Sequence, residues 1–173
     1  MLSKVIIRYI VPTLGLALII WGAYKWMGGG REPSLSYVEV PEFQLYGYMY
    51  KGRPGSSTLE SQFFEVRDLS AFEEGKYLTL VSFGTGNTVD TLRQFIGTRN
   101  PDAPDHFETY SVPAGRYVEV VLDMDAMVRP SPGHIRSRAS DFAGQMNLRL
   151  SDWNLEIFTG DKELKVLFPV VQN

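Results

Sequence analysis

The order of elements read from this sequence predicts an α+β fold: two copies of a strand-helix-strand-strand unit, preceded by a single N-terminal transmembrane helix. Three observations carry the prediction. The stretch Trp153 to Val170, WNLEIFTGDKELKVLFPV, sets two runs of β-favouring residues on either side of Gly160-Asp161, and turn formers between such runs predict a hairpin because Gly accepts the positive φ of tight connections. Tyr77 to Gly97 has the same form, with a strand ending at Gly84, a short polar connection and a second strand from Leu92 to Ile96. Val40-Pro41 and Val112-Pro113 each open a long strand that precedes a helix and then its hairpin. The Val-Pro pairs lie 72 residues apart, and Gly84 and Gly160 lie 76 apart, so element order repeats at a nearly constant offset.

Val5 to Met27 is the first element. Its uncharged part, Tyr9 to Tyr24, is 16 residues; with Arg8 and Lys25 snorkelling to the headgroups it reaches 23, or roughly 34 Å of helix. That length spans a bilayer, and Trp21, Tyr24 and Trp26 fit an interfacial belt. The alternative is a cleaved signal peptide with Gly28 and Gly30 as small cleavage-site residues. Lys4, Arg8 and the amino terminus precede the segment, whereas Lys25 and Arg31 follow it. That asymmetry favours a cytoplasmic N-terminus, a single-pass membrane location and an extracytoplasmic domain. Gly28 to Ser34 then reads as a short flexible tether. The division is therefore 1–30 for anchor and tether and 31–173 for one ligand-binding domain, with repeats at about 37–97 and 107–171.

Tyr37 to Lys51, interrupted by Pro41, is the first long strand. Leu45, Gly47 and Met49 alternate with Gln44, Tyr46, Tyr48 and Tyr50, so three tyrosines share one side, either as the wet face of a half-buried sheet or as the wall of a groove. Thr58 caps a helix predicted to run to about Glu74, with Leu59, Phe63, Val66 and Phe72 at helical spacing and Gly75 as the stop. The GTGNT connection at 84–88 lacks the spacing and Lys-Ser/Thr of a phosphate loop and is assigned to turn chemistry. Pro101 and Pro104 mark an inter-repeat linker. Tyr110 to Asp123 is the second long strand. PSPGH at 130–134 introduces a helix predicted to reach about Leu150, with Ile135, Phe142, Met146 and Leu150 inward and Arg136, Arg138 and Arg149 on the solvated side.

Composition narrows the function classes. The chain has 44% hydrophobic and 21% charged residues, a globular balance. It has no cysteine, which excludes disulfides and thiolate metal sites. Its two histidines, His106 and His134, lie in Pro-flanked stretches, so no metal site and no cofactor are expected. Of 17 basic residues, Lys4, Arg8 and Lys25 precede residue 31, leaving 14 against 20 acidic residues, a net of −6 for the rest. An acidic domain without a basic stripe is not expected to bind nucleic acid.

No catalytic residue is assigned. A serine nucleophile lacks a histidine in a recognisable constellation, and paired-carboxylate chemistry would need Glu119 and Glu156 to face each other. Glu156 stands out because Asn154, Glu156 and Phe158 share one face of their strand while Leu155 and Ile157 share the other. A carboxylate among apolar neighbours is costly to bury without compensation. Either a bound cation or donor-rich ligand flanked by aromatic rings supplies that compensation, or the glutamate is edge-exposed or salt-bridged.

The repeat order, Val-Pro-Ala-Gly-Arg-Tyr at 112–117, Trp-Asn-Leu-Glu-Ile-Phe at 153–158 and Phe168-Pro169-Val170 together resemble the GyrI-like small-molecule binding domain, the effector-binding domain of AraC-type and multidrug-responsive regulators. The resemblance covers about Leu35 to Val170. It implies that the duplicated strand-helix-strand-strand units form a pseudo-twofold antiparallel sheet, an SH2-like duplication, around a central groove for amphipathic, often cationic compounds. By that resemblance Glu156 matches the ligand-contacting glutamate, and Phe158 stands where a tyrosine is usual. This sequence departs from the regulators in having an apolar segment where their helix-turn-helix region lies, so direct transcriptional control is not expected.

The function expected is thus a membrane-anchored binding module for an amphipathic molecule. Glu156 is its polar anchor, and Phe158, Tyr46, Tyr48, Tyr117 and Trp153 are ligand-binding walls, with lipid as a further partner through residues 5–27. The alternatives are a module docking a membrane protein without a small ligand, and a small-molecule hydrolase using Glu156 with a second carboxylate.

Overall fold

Two prolines decide how the long strands divide. Pro has no N–H to give a ladder, and the computed structural model, which describes residues 11–70, 75–84 and 91–171, breaks both long predicted strands there. Strand β1 (Ser34–Val40) stops before Pro41 and β2 (Phe43–Gly52) starts after it. Helix α2 (Ser57–Leu69), β3 (Leu78–Phe83), β4 (Leu92–Thr98) and β5 (Glu108–Val112) follow, and Pro113 separates β5 from β6 (Gly115–Asp123). A 3-10 turn at Ala126–Val128 leads into α3 (Pro132–Gln145), β7 (Arg149–Leu150), β8 (Trp153–Phe158) and β9 (Glu163–Val171).

The N-terminal element is helix α1, Val11–Trp26. Its 16 residues reach about 24 Å, and no helix among the described residues is long and apolar enough to cross a membrane. This overturns the single-pass membrane location, with its extracytoplasmic domain and its lipid contact through residues 5–27; residues 5–10 of that expected span lie outside the described residues. The expected loose tether is also held. Gly28 and Gly30 take φ of 90° and 81°, the left-handed conformation that ends helices. The Asp125 amide donates to the Met27 carbonyl at 2.8 Å, and Arg31 pairs with Asp123 at 2.5 Å.

All sheet pairings are antiparallel, and the strand order is β1-β6-β9-β8-β3-β4-β2-β5, with β7 added to β9. Read from either edge, a short strand flanks a long one, followed by the second and then the first arm of a hairpin, and the two series meet at the β3–β8 pair. The edge strands are exchanged: β1, from the N-terminal half of the chain, pairs with β6, and β5, from the C-terminal half, pairs with β2.

Pairing register fixes the faces, because directly opposed side chains point the same way. Tyr48, Ile96, Leu80, Glu156, Val166 and Val120 form one row across six strands. At one end of this face α2 covers Tyr50, Leu78, Leu80 and Ile96 with Val66; at the other, α3 covers Val118, Val120, Val166 and Phe168 with Ile135, Ala139 and Ala143. The opposite face curls around its own apolar cluster, Leu45, Val81, Phe95, Val112, Tyr117, Leu155 and Leu167.

The described helices are shorter than the spacing predicts. Ser70 caps α2, its hydroxyl donating to the Val66 carbonyl at 2.6 Å; 71–74, which the expected helix included, lie outside the described residues, as do 85–88 of the GTGNT connection. Helix α3 ends at Gln145, not Leu150, because Asn147 turns to φ 56° and Leu150 is drawn into β7 opposite Val170.

Candidate functional site

The two helices cover the ends of their shared sheet face and leave its middle open. A crevice of about 670 Å³ lies there. Ser82 from β3, Asn154 and Glu156 from β8, and Val166 and Phe168 from β9 contribute to it, as do Arg129 and Pro130 before α3, Ile135 and Arg136 within α3, and Leu92 and Arg93 from β4. Local chemistry starts α3 at this rim. Ser131 is extended (φ −61°, ψ 152°), its hydroxyl accepts from the His134 amide at 3.4 Å, and Pro132 occupies the first helical position, where its missing N–H costs nothing.

Glu156 is only partly buried by its surface, yet burial is the main influence on its carboxyl. Desolvation pushes its pKa above the ordinary value, opposed by the Asn154 side chain and then by the charge of Arg129. The Asn154 amide donates to Glu156 Oε1 at 3.4 Å. Glu156 and Arg129 form no ion pair with each other, and no described residue makes one with Glu156. Arg129 is held through Nε, which donates to the Met124 carbonyl at 3.2 Å. Burial lowers its pKa, with Asp125 and Glu156 acting the other way. Arg136 donates from Nη2 to the Ser151 carbonyl at 2.5 Å and lies 5.6 Å above the Phe168 ring.

The structure disperses the expected binding residues. Phe158 shares the face of Glu156 and packs against both helix-side clusters, but it is not among the residues lining the crevice. Tyr46 and Tyr48 lie on that same face beside α2, with Tyr48 three strand spacings, about 14 Å, from Glu156. The Tyr48 hydroxyl donates to Glu65 at 3.0 Å. Tyr117 and Trp153 belong to the opposite face. Tyr117 is 1% exposed, its hydroxyl donates to the Pro113 carbonyl at 2.7 Å, and it meets the Trp153 ring edge-on at 6.2 Å. Glu119 is on that opposite face too, opposed to Leu167 and accepting from Ser36 at 3.2 Å, so the Glu119–Glu156 pair cannot act together. Among the described residues, no cluster of metal-ligating side chains occurs.

Sequence reasoning missed the arginines. Arg136 is turned to the crevice and not to the solvated side, because the next residue after inward Ile135 still falls on the α3 flank that overhangs Glu156. Arg129 sits in a Pro-flanked loop where no periodicity assigns direction.

Three solved structures are similar to the chain at this point. An integron cassette protein from the mobile metagenome of Vibrio cholerae is 8% identical, with 81% of this chain and 98% of that one covered and a TM-score of 0.55. The C-terminal domain of EcmrR is 13% identical over 82% and 99% at a TM-score of 0.57. A hydrolase encoded by lin2189 from Listeria innocua is 14% identical over 85% and 95% at a TM-score of 0.54. The chain shares their fold. That fold, a curled antiparallel sheet with helices in an α+β arrangement, fits the GyrI-like resemblance. No protein-family model and no curated protein matches the sequence.

Proposed function

We propose that the chain is a small-molecule binding module of the GyrI-like effector-binding type, which takes an amphipathic compound into the crevice beside α3, with Glu156 as its polar anchor. The observation that carries this reading is a carboxyl that burial pushes toward its neutral form, with no ion-pair partner among the described residues, on the floor of an otherwise largely closed sheet face. Such a group is costly to keep unless an occupant compensates it, and a cleft of this size with a few convergent polar groups is the usual form of a small-molecule site. Phe158, one face-position along β8, fixes the strand that presents Glu156. The two series of strands meeting at β3–β8 support a reading of the fold as two like units, with the crevice on their seam. A hydrolytic reading has less support, since the second carboxylate it needs is on the other face.

Native mass spectrometry of the purified chain tests the proposal. A retained small compound is expected, lost in Glu156→Leu. Equal retention by that variant, or a stoichiometric protein companion in place of a compound, overturns it.

A further inference from the structure

The crevice is charged opposite to the chain around it. The sequence after residue 30 carries a net of −6 (14 basic against 20 acidic residues), yet among the described residues the crevice is lined by Arg93, Arg129 and Arg136 and by one acidic side chain, Glu156. Arg129 approaches from the loop before α3 and Arg136 from α3 itself, whereas Arg93 stands at the rim on β4 with its side chain on the opposite face beside Phe83. None forms an ion pair with a described residue. Arg93 lies over the Phe83 ring at 5.2 Å, and Arg136 over Phe168. A guanidinium beside an aromatic ring, as Arg136 is beside Phe168, keeps N–H donors for a further partner.

We infer that the occupant of this crevice is an amphipathic anion, a compound with an apolar body and a single carboxylate or sulfonate group held by Arg129 and Arg136. The inference rests on the reading of the crevice as a small-molecule site and fixes the class of its ligand. A guanidinium suits an oxyanion because its N–H donors are set in a planar fork; Arg129 commits only Nε, and Arg136 only Nη2, to backbone carbonyls. Val166, Phe168 and Ile135 supply the apolar lining. A cation would meet the two like charges of Arg129 and Arg136 for one opposite.

Glu156 then plays a part that changes with pH. Burial favours its protonated form, which donates a hydrogen bond to the anion and removes the one opposing charge. The charged groups that line the crevice with it are Arg129, whose charge acts on it, and Arg136; Asp125 lies near Arg129, and the flanking partners on β3 and β9, Leu80 and Val166, are apolar. Raising the pH ionises Glu156 and is expected to weaken the anion.

Calorimetric titration of the full chain with 8-anilinonaphthalene-1-sulfonate and with rhodamine 6G, an anionic and a cationic amphiphile, decides the matter. The anion is expected to bind at least about tenfold more tightly at neutral pH, and Arg129→Gln to weaken it by about tenfold, the scale of one close charge in a partly screened site. Because Arg136 also holds the Ser151 carbonyl, Arg136→Lys and Arg136→Gln are compared: Lys keeps the anion and Gln loses it, with urea midpoints showing both folded. Glu156→Gln is expected to abolish the weakening at high pH. Tighter binding of the cation, or anion binding indifferent to both arginines, overturns the inference and leaves the binding-module reading standing. Binding of neither probe overturns both.

Discussion

At the residue scale the controlling quantity is the proton on Glu156. Burial raises its folded-state pKa, so the folded chain holds that proton more tightly than the unfolded chain does. The sign follows from linkage: the stabilising contribution is full below the ordinary carboxylate value and is lost as pH rises through the raised one. Urea unfolding of the native chain and Glu156→Gln is therefore expected to show a stability difference, native minus variant, that falls as pH rises above the ordinary carboxylate value. A difference that is flat or rises with pH contradicts the assignment. Near Glu156, composition and alternation were enough to put Asn154, Glu156 and Phe158 on one face. They were not enough to place Tyr117 or Glu119, whose face depends on which residue of β9 each opposes. That is a long-range register, and no local pattern encodes it.

At the element scale the β2–β4 pair is closer than two ordinary strands allow side chains to be. Gly47 opposes Gly97, and a Cβ at Gly47 would stand 1.9 Å from the Ile96 carbonyl oxygen and 2.7 Å from Gly97 Cα. Both are backbone atoms, which cannot rotate aside. Gly47→Ala is expected to cost about 1–3 kcal/mol or more, read as a drop in urea midpoint. Gly144→Ala, in α3 where nothing lies within 4 Å, is the contrasting control and is expected to stabilise by about 0.5–1 kcal/mol. Alternation put Gly47 on the side of Leu45 and Met49 without revealing why a side chain is missing there. Pro41 and Pro113 were legible as interruptions, but the sequence alone does not say that the segments on either side of each proline pair with different strands. Leu150 shows the converse. Its spacing continued the helical stripe of α3, and a single left-handed residue, Asn147, followed by pairing with Val170, took it into a strand.

At the scale of the whole molecule, both hairpins were legible from their turn residues and β-branched runs, and so was the order strand, helix, hairpin. The crevice was not, because it exists only where the two series of strands abut and where α3 and the loop before it stand over β8 and β9. Expectation and structure differ most at the N-terminus. Hydropathy predicted a bilayer span, whereas the described helix α1 is 16 residues long and ends at Trp26, two residues before Gly28, which lies against Met124.

The exchange of β1 and β5 has a mechanical corollary. Each side of the sheet is finished by a strand borrowed from across the chain, so neither side is a self-sufficient folding unit, and each piece carries the other's missing edge. Proteolytic nicking in the 101–105 turn should therefore give two fragments that remain associated on a sizing column and, after separation in denaturant, find each other again at equimolar ratio. Fragments that fold alone and drift apart would show that the clasp formed by the two edges is ornamental.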